Sequence, residues 1–95
     1  MRKVAVAASP EAKFCRAMIY DPADGGGVFV FLFRSPDDGP CEADYWYEDL
    51  AGAERHAAGE LGVGDADWQP VPDPLPGCRH DRLASVHVEN GSDEV

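Results

Sequence analysis

The sequence predicts an α+β fold: an antiparallel, three- to five-stranded sheet built as a meander, with one helix packed on one face. Three observations predict it. The apolar run Val28–Phe33 is bounded on both sides by Gly- and Pro-rich turns, the mark of a strand buried on both faces. A single later stretch, Asp49 to Gly62, carries apolar residues at helical spacing between a capping residue and a terminating glycine. The chain has 95 residues, which suits one domain. Residues 1–95 are therefore expected to form a single domain, with 89–95 a frayed acidic tail.

Taken in order, Lys3 to Ala8 fits either a strand or a loose arm. Its apolar run, Val4 to Ala8, is shorter than the roughly 7–15 residues of a secretory apolar core, so no such signal is expected there. Phe14 to Tyr20 is rich in aromatic and β-branched types and reads as a strand. Asp21-Pro22-Ala23-Asp24-Gly25-Gly26-Gly27 supplies turn chemistry, since proline presets φ and glycine permits positive φ. The run Val28–Phe33 follows, then a second turn at Ser35 to Pro40 and another strand from Cys41 to Tyr47. In this meander Val28–Phe33 is the middle strand. Asp49 can cap a helix whose stripe is Leu50, Ala53, Ala57 and Leu61, and Gly62 can end it in the left-handed conformation. Gly52 and Gly59 weaken that helix, so packing must hold it.

Beyond the helix, Gln69 to Gly77 carries prolines at positions 70, 72, 74 and 76. They force an extended path and remove backbone donors. We expect a rigid strap across the fold anchored by Trp68 and Leu75, because no two of these prolines have the spacing that proline-binding modules read. Leu83 to Val88 is expected to form a last short strand.

Charge narrows the function. The formal net charge is −10, from 18 acidic and 8 basic residues. Nucleic-acid binding needs a cationic surface, and so does binding to an anionic membrane; neither partner is expected. Nothing in the chain approaches the roughly 18–20 apolar residues of a membrane span. The three cysteines are an odd number, unlike a secreted disulfide framework, so the cytoplasm is the expected compartment.

Several residue sets suggest chemistry without completing it. Cys78 and His80, with Cys41 and either His56 or His87, are the ligand types zinc prefers. The close ligand pairs of structural zinc sites are missing, so Cys41, Cys78 and His80 are metal candidates only and no cofactor is expected. Cys78 could serve as a nucleophile with His80 or His56 as base, and Cys78 and His80 alternate on an extended chain and so face one way. No glycine-rich helix start stands beside them to make an oxyanion site. The aspartates are mostly in turns, where they bond their own backbone; Asp73 and Asp81, flanking the Pro-Gly-Cys turn, are the pair to watch. Asp37-Asp38-Gly39 lacks the spaced ligands of a calcium loop. Gly25-Gly26-Gly27 precedes a strand rather than a helix, unlike a phosphate-binding loop.

The surplus of apolar surface is more telling. Phe29, Phe31 and Phe33 point to one side of their strand and Val28, Val30 and Leu32 to the other. One helix covers one side. The second must be covered by the strap and the N-terminal arm, by a second subunit, or by a partner. The expected function is a non-catalytic protein-interaction module, binding a protein partner or a second copy through Phe29, Phe31 and Phe33 or through Trp68, Val71 and Leu75. Two alternatives stand beside it: a metal-binding or Cys/His-dependent enzyme centred on Cys78 and His80, and an acidic inhibitor of a basic protein.

The stretch Ala43-Asp44-Tyr45-Trp46-Tyr47-Glu48-Asp49-Leu50, then Asp67-Trp68, then Val71-Pro72-Asp73-Pro74-Leu75-Pro76-Gly77-Cys78 with Asp81 resembles a group of small, uncharacterised bacterial proteins. The resemblance covers roughly residues 28 to 90, with Asp-Pro-Leu-Pro-Gly-Cys its most specific element. It implies a bacterial origin and carries no activity.

Overall fold

A computed structural model describes residues 1–8, 11–84 and 86 of the chain. Strands β1 (Arg2–Val6), β2 (Arg16–Tyr20), β3 (Val28–Phe33) and β4 (Ala43–Tyr47) precede helix α1 (Leu50–Leu61); a 3-10 turn (Asp65–Asp67) and strand β5 (Gln69–Val71) follow it. The strands form one sheet in the order β4-β3-β2-β1-β5, every neighbouring pair antiparallel. The α+β fold with one helix against an antiparallel sheet is therefore the observed one. No helix of the described residues is long and apolar enough to cross a membrane.

The N-terminal residues are a strand and not an arm, and that moves the centre of the sheet. Val28–Phe33 does lie between β2 and β4, as the meander requires, but β1 and β5 add two strands on the far side. The central strand is β2, where Arg16 through Ile19 are all buried. Gln69–Val71 is likewise no free strap: it pairs with β1, Lys3 opposite Pro70. Proline in a ladder is tolerated at an edge, where a missing donor breaks no interior bond. The strand expected over 83–88 is not formed at Leu83, Ala84 or Val86; Ser85, His87, Val88 and the tail 89–95 lie outside the described residues.

The helix follows its sequence signals. Asp49 accepts a hydrogen bond from the Gly52 amide at 2.8 Å, satisfying a free donor of the first turn. Gly62 ends the helix at φ 70° with its amide bonded to the Ala58 carbonyl. Between them Ala53, Ala57 and Leu61 are buried, against Ala5, Ala17, Ile19, Val28, Val30 and Leu32 of the sheet. Small alanines on the helix let its backbone come close to bulky strand residues, which is how a narrow stripe seals one face.

Candidate functional site

Strand alternation sends the remaining side chains to the opposite face. Register pairs Tyr20 with Phe29, Met18 with Phe31, and Arg16 with Phe33, and cross-strand partners share a face. The same rule brings Asp44 beside Phe31 and Trp46 beside Phe29 from β4, and Arg2 and Val4 beside Tyr20 and Met18 from β1. The rings run as a ladder: Tyr20 and Phe29 have centroids 6.3 Å apart, Phe29 and Phe31 6.1 Å with parallel planes.

No helix of the described residues covers this face. Its cover is a strap, residues 72–84, held mainly by its backbone. The buried Arg2 guanidinium donates to the carbonyls of Pro72 (2.7 Å), His80 (2.9 Å) and Arg82 (2.6 Å). Asp38 accepts from the amides of Leu83 and Ala84, both at 2.8 Å, and Asp81 accepts from the Cys41 amide at 3.0 Å. Burial pushes the Arg2 guanidinium below its ordinary value, and Asp73, Tyr20 and Asp38 partly restore it. Partial burial pushes the Asp38 carboxyl up, but the two strap amides, with Arg16 and Arg82 nearby, outweigh it and hold the group low.

Where the strap stops short of β4 an open groove of about 430 Å³ remains, lined by Phe29, Phe31, Cys41, Asp44 and strap residues 78–81. Its floor is aromatic and its rim charged. The groove runs out towards an edge strand on which Trp46 is 53 % and Tyr45 43 % exposed. Trp46 is not loose: its indole donates to the Gly26 carbonyl at 2.7 Å. Gly27 adopts φ +103° directly beneath the ring, where a Cβ would stand 2.1 Å from the indole nitrogen. On the helix side of the same strand the Tyr45 ring lies 4.4 Å from that of His56, which also bonds the Tyr47 hydroxyl.

The residues singled out from sequence fall in separate places. Phe29 and Phe31 floor the groove, and Cys41, Cys78 and His80 do line it together. Phe33 is 1 % exposed, with the Arg16 guanidinium 4.0 Å above its ring, so it offers no surface. Trp68 packs on the helix-side core, beneath the Lys3 ammonium, away from the phenylalanines. Val71 is half-buried in β5. Leu75 is 58 % exposed and anchors nothing; Arg2 does that work by gripping carbonyls. The second face is thus covered in part from within the chain, by the strap and without the N-terminal arm.

Of the groove's side chains, Cys41 is held protonated. Burial, then the Asp81 carboxylate and its hydrogen bond, then Asp44 push the Cys41 thiol up to about 11, so it is protonated at neutral pH. His80 is exposed, its ring 4.9 Å from that of Tyr20. Among the described residues no three His, Cys, Asp or Glu side chains are grouped to hold a metal ion. Compared with protein-family models, with curated proteins and with solved structures, the chain matches none.

Sequence reasoning missed Asp44, Trp46 and Arg2. The first two were half within reach: alternation puts them on one face of their strand, and the register with β3 makes it the phenylalanine side. Arg2 was not, because its partners are backbone carbonyls that any residue would supply.

Proposed function

We propose that the protein is a non-catalytic interaction module that receives a protein partner on the aromatic groove and the neighbouring edge of the sheet. One observation carries this reading. Apolar floor, oriented exposed tryptophan and a strand edge that no described strand pairs are continuous, whereas the helix-side core is buried. Aromatic residues in partly desolvated pockets are the usual energetic centres of protein interfaces. The odd number of cysteines, three, supports a reducing compartment, and with it the cytoplasm.

The test is capture from a lysate of the source cells, identification of the partner, and reconstitution with the purified partner by calorimetry. We expect saturable binding by the wild type and a loss of at least about tenfold with Phe29→Ser, given the central place of aromatic anchors. A partner bound equally well by that variant, with its fold intact, would refute the site.

A second reading has one observation on its side, the convergence of Cys41, Cys78 and His80 on the groove. It predicts rapid alkylation of a groove cysteine by iodoacetamide at pH 7. The raised Cys41 pKa of about 11 predicts slow alkylation there instead.

A further inference from the structure

Strand β4 is an edge: β3 lies on one side of it, and no described strand lies on the other. Alternate backbone amides and carbonyls of Ala43–Tyr47 therefore point outward, a template for one more strand. The side chains along that edge sort by parity. Asp44 and Trp46 project on the groove side, and Glu42 and Glu48 stand just beyond the two ends of the strand. On the other side stand Ala43, Tyr45 and Tyr47. Asp44, Trp46 and both flanking glutamates are exposed. Glu42 makes an exposed contact of 3.7 Å with Arg34; Asp44 and Glu48 have no ion-pair partner among the described residues.

We propose that the occupant of this edge is an extended basic segment of a partner protein, added as a sixth strand beside β4, with lysine or arginine at alternate positions facing the groove and apolar residues between them. This rests on the interaction reading above and adds the partner's chemistry. Charge complementarity selects it. An added strand places every second side chain over Asp44 and Trp46, with Glu42 and Glu48 at the strand's two ends, so that a cation meets carboxylates and an indole face, and a long aliphatic stem can lie on Phe29 and Phe31. Intervening side chains meet Tyr45, which wants apolar contact. A second copy of this chain fits badly. An antiparallel pairing of β4 with itself, centred on Tyr45, sets Glu42 against Glu48 twice between molecules of net charge −10, and like charges directly opposed are destabilising. The basic groove residues Arg79 and His80 stand on the strap and not on this edge.

The probe is a nine-residue peptide alternating lysine and valine. Two controls accompany it: the glutamate–valine counterpart, and the lysine–valine peptide methylated at alternate backbone nitrogens, which keeps the charge and loses the strand hydrogen bonds. Binding is followed by amide chemical shifts and hydrogen exchange. We expect the lysine peptide alone to slow exchange at β4 amides, and Asp44→Lys to weaken it by about tenfold, the scale of a contact charge reversal. Equal binding of the methylated peptide would mean bulk charge attraction and overturn strand addition. A concentration-dependent dimer that protects the β4 amides without peptide would overturn it in favour of a second copy. Failure of the lysine peptide, while a captured partner still depends on Phe29, would overturn the basic strand and leave the interaction reading standing. Failure of both would end that reading too.

Discussion

On the helix side of the sheet, Ile19, Val30 and Leu32 meet Ala53, Ala57 and Leu61 through side chains alone, and each is at most 2 % exposed. On the aromatic side, Phe29 and Phe31 lie beside a strap that Arg2 and Asp38 hold by carbonyl oxygens and amides. The first kind of cover sets side chain directly against side chain. The second fixes a path for the backbone but does not fill the space beneath it, and a groove is the result. Both faces bury apolar side chains, Met18 and Phe33 among them on the aromatic side, but the groove opens only on the aromatic one.

The sharpest way to break this division is to empty the sealed face. Leu32→Ala removes a side chain that is 0 % exposed, and should cost about 3–5 kcal/mol, a large part of a small domain's margin. Loss of helix and strand signals together on chemical denaturation is the expected readout. A cost under about 1 kcal/mol would mean the helix face is loosely packed and the comparison wrong.

Arg2→Met attacks the other face. It keeps most of the stem but strands three carbonyls that now share one guanidinium. The expected cost is about 2–4 kcal/mol, concentrated where buried acceptors lose their donor. Its signature is local. Amide exchange should quicken across residues 78–84 while Ala53 to Leu61 keep their protection. Uniform loss of protection would show that strap and helix form one cooperative unit.

Gly27→Ala is a smaller and more pointed change. The residue must hold φ +103° and its new methyl must displace the Trp46 ring, at about 1–3 kcal/mol of local strain. Tryptophan fluorescence should shift to the red as the indole leaves the Gly26 carbonyl, and partner binding should fall with it. An unchanged spectrum would show that Trp46 is not held where the interaction needs it.

How far the sequence foretold all this depends on the range of each interaction. The capped helix and the two-faced strand were legible because Asp49, Gly62 and the alternation of Val28–Phe33 are read within a few residues. The pairing of β1 with both β2 and β5 was not, since Val4 opposes Met18 on one side and Gln69 on the other, and nothing in Lys3–Ala8 names those partners. The prolines misled for a physical reason. An extended path serves a free strap and an edge strand equally well, and only Lys3 opposite Pro70 distinguishes them. The groove was half legible. Its phenylalanines follow from alternation, but its other wall exists only because Arg2 reaches carbonyls more than 70 residues away.

The smallest expected effect is a pH dependence confined to the aromatic face. Asp38 has a folded pKa below its ordinary value, so its carboxylate favours the docked strap whenever it is ionised. That contribution is complete above the unfolded carboxylate pKa of about 4 and disappears as pH falls through the lower folded value. The helix face has no such group among its buried residues: Ala5, Ile19, Val30, Leu32, Ala57 and Leu61 do not titrate. Titrating the amide shifts of Leu83 and Ala84 from pH 6 downward should show a transition below about pH 4, absent from Ala53 and Ala57 and abolished by Asp38→Asn. Should the strap amides titrate no differently in that variant, the grip on residues 83 and 84 does not come from Asp38. Arg2 and the Asp81–Cys41 bond would then hold the strap, and residues 83 and 84 would follow them rather than fix the groove's outer wall.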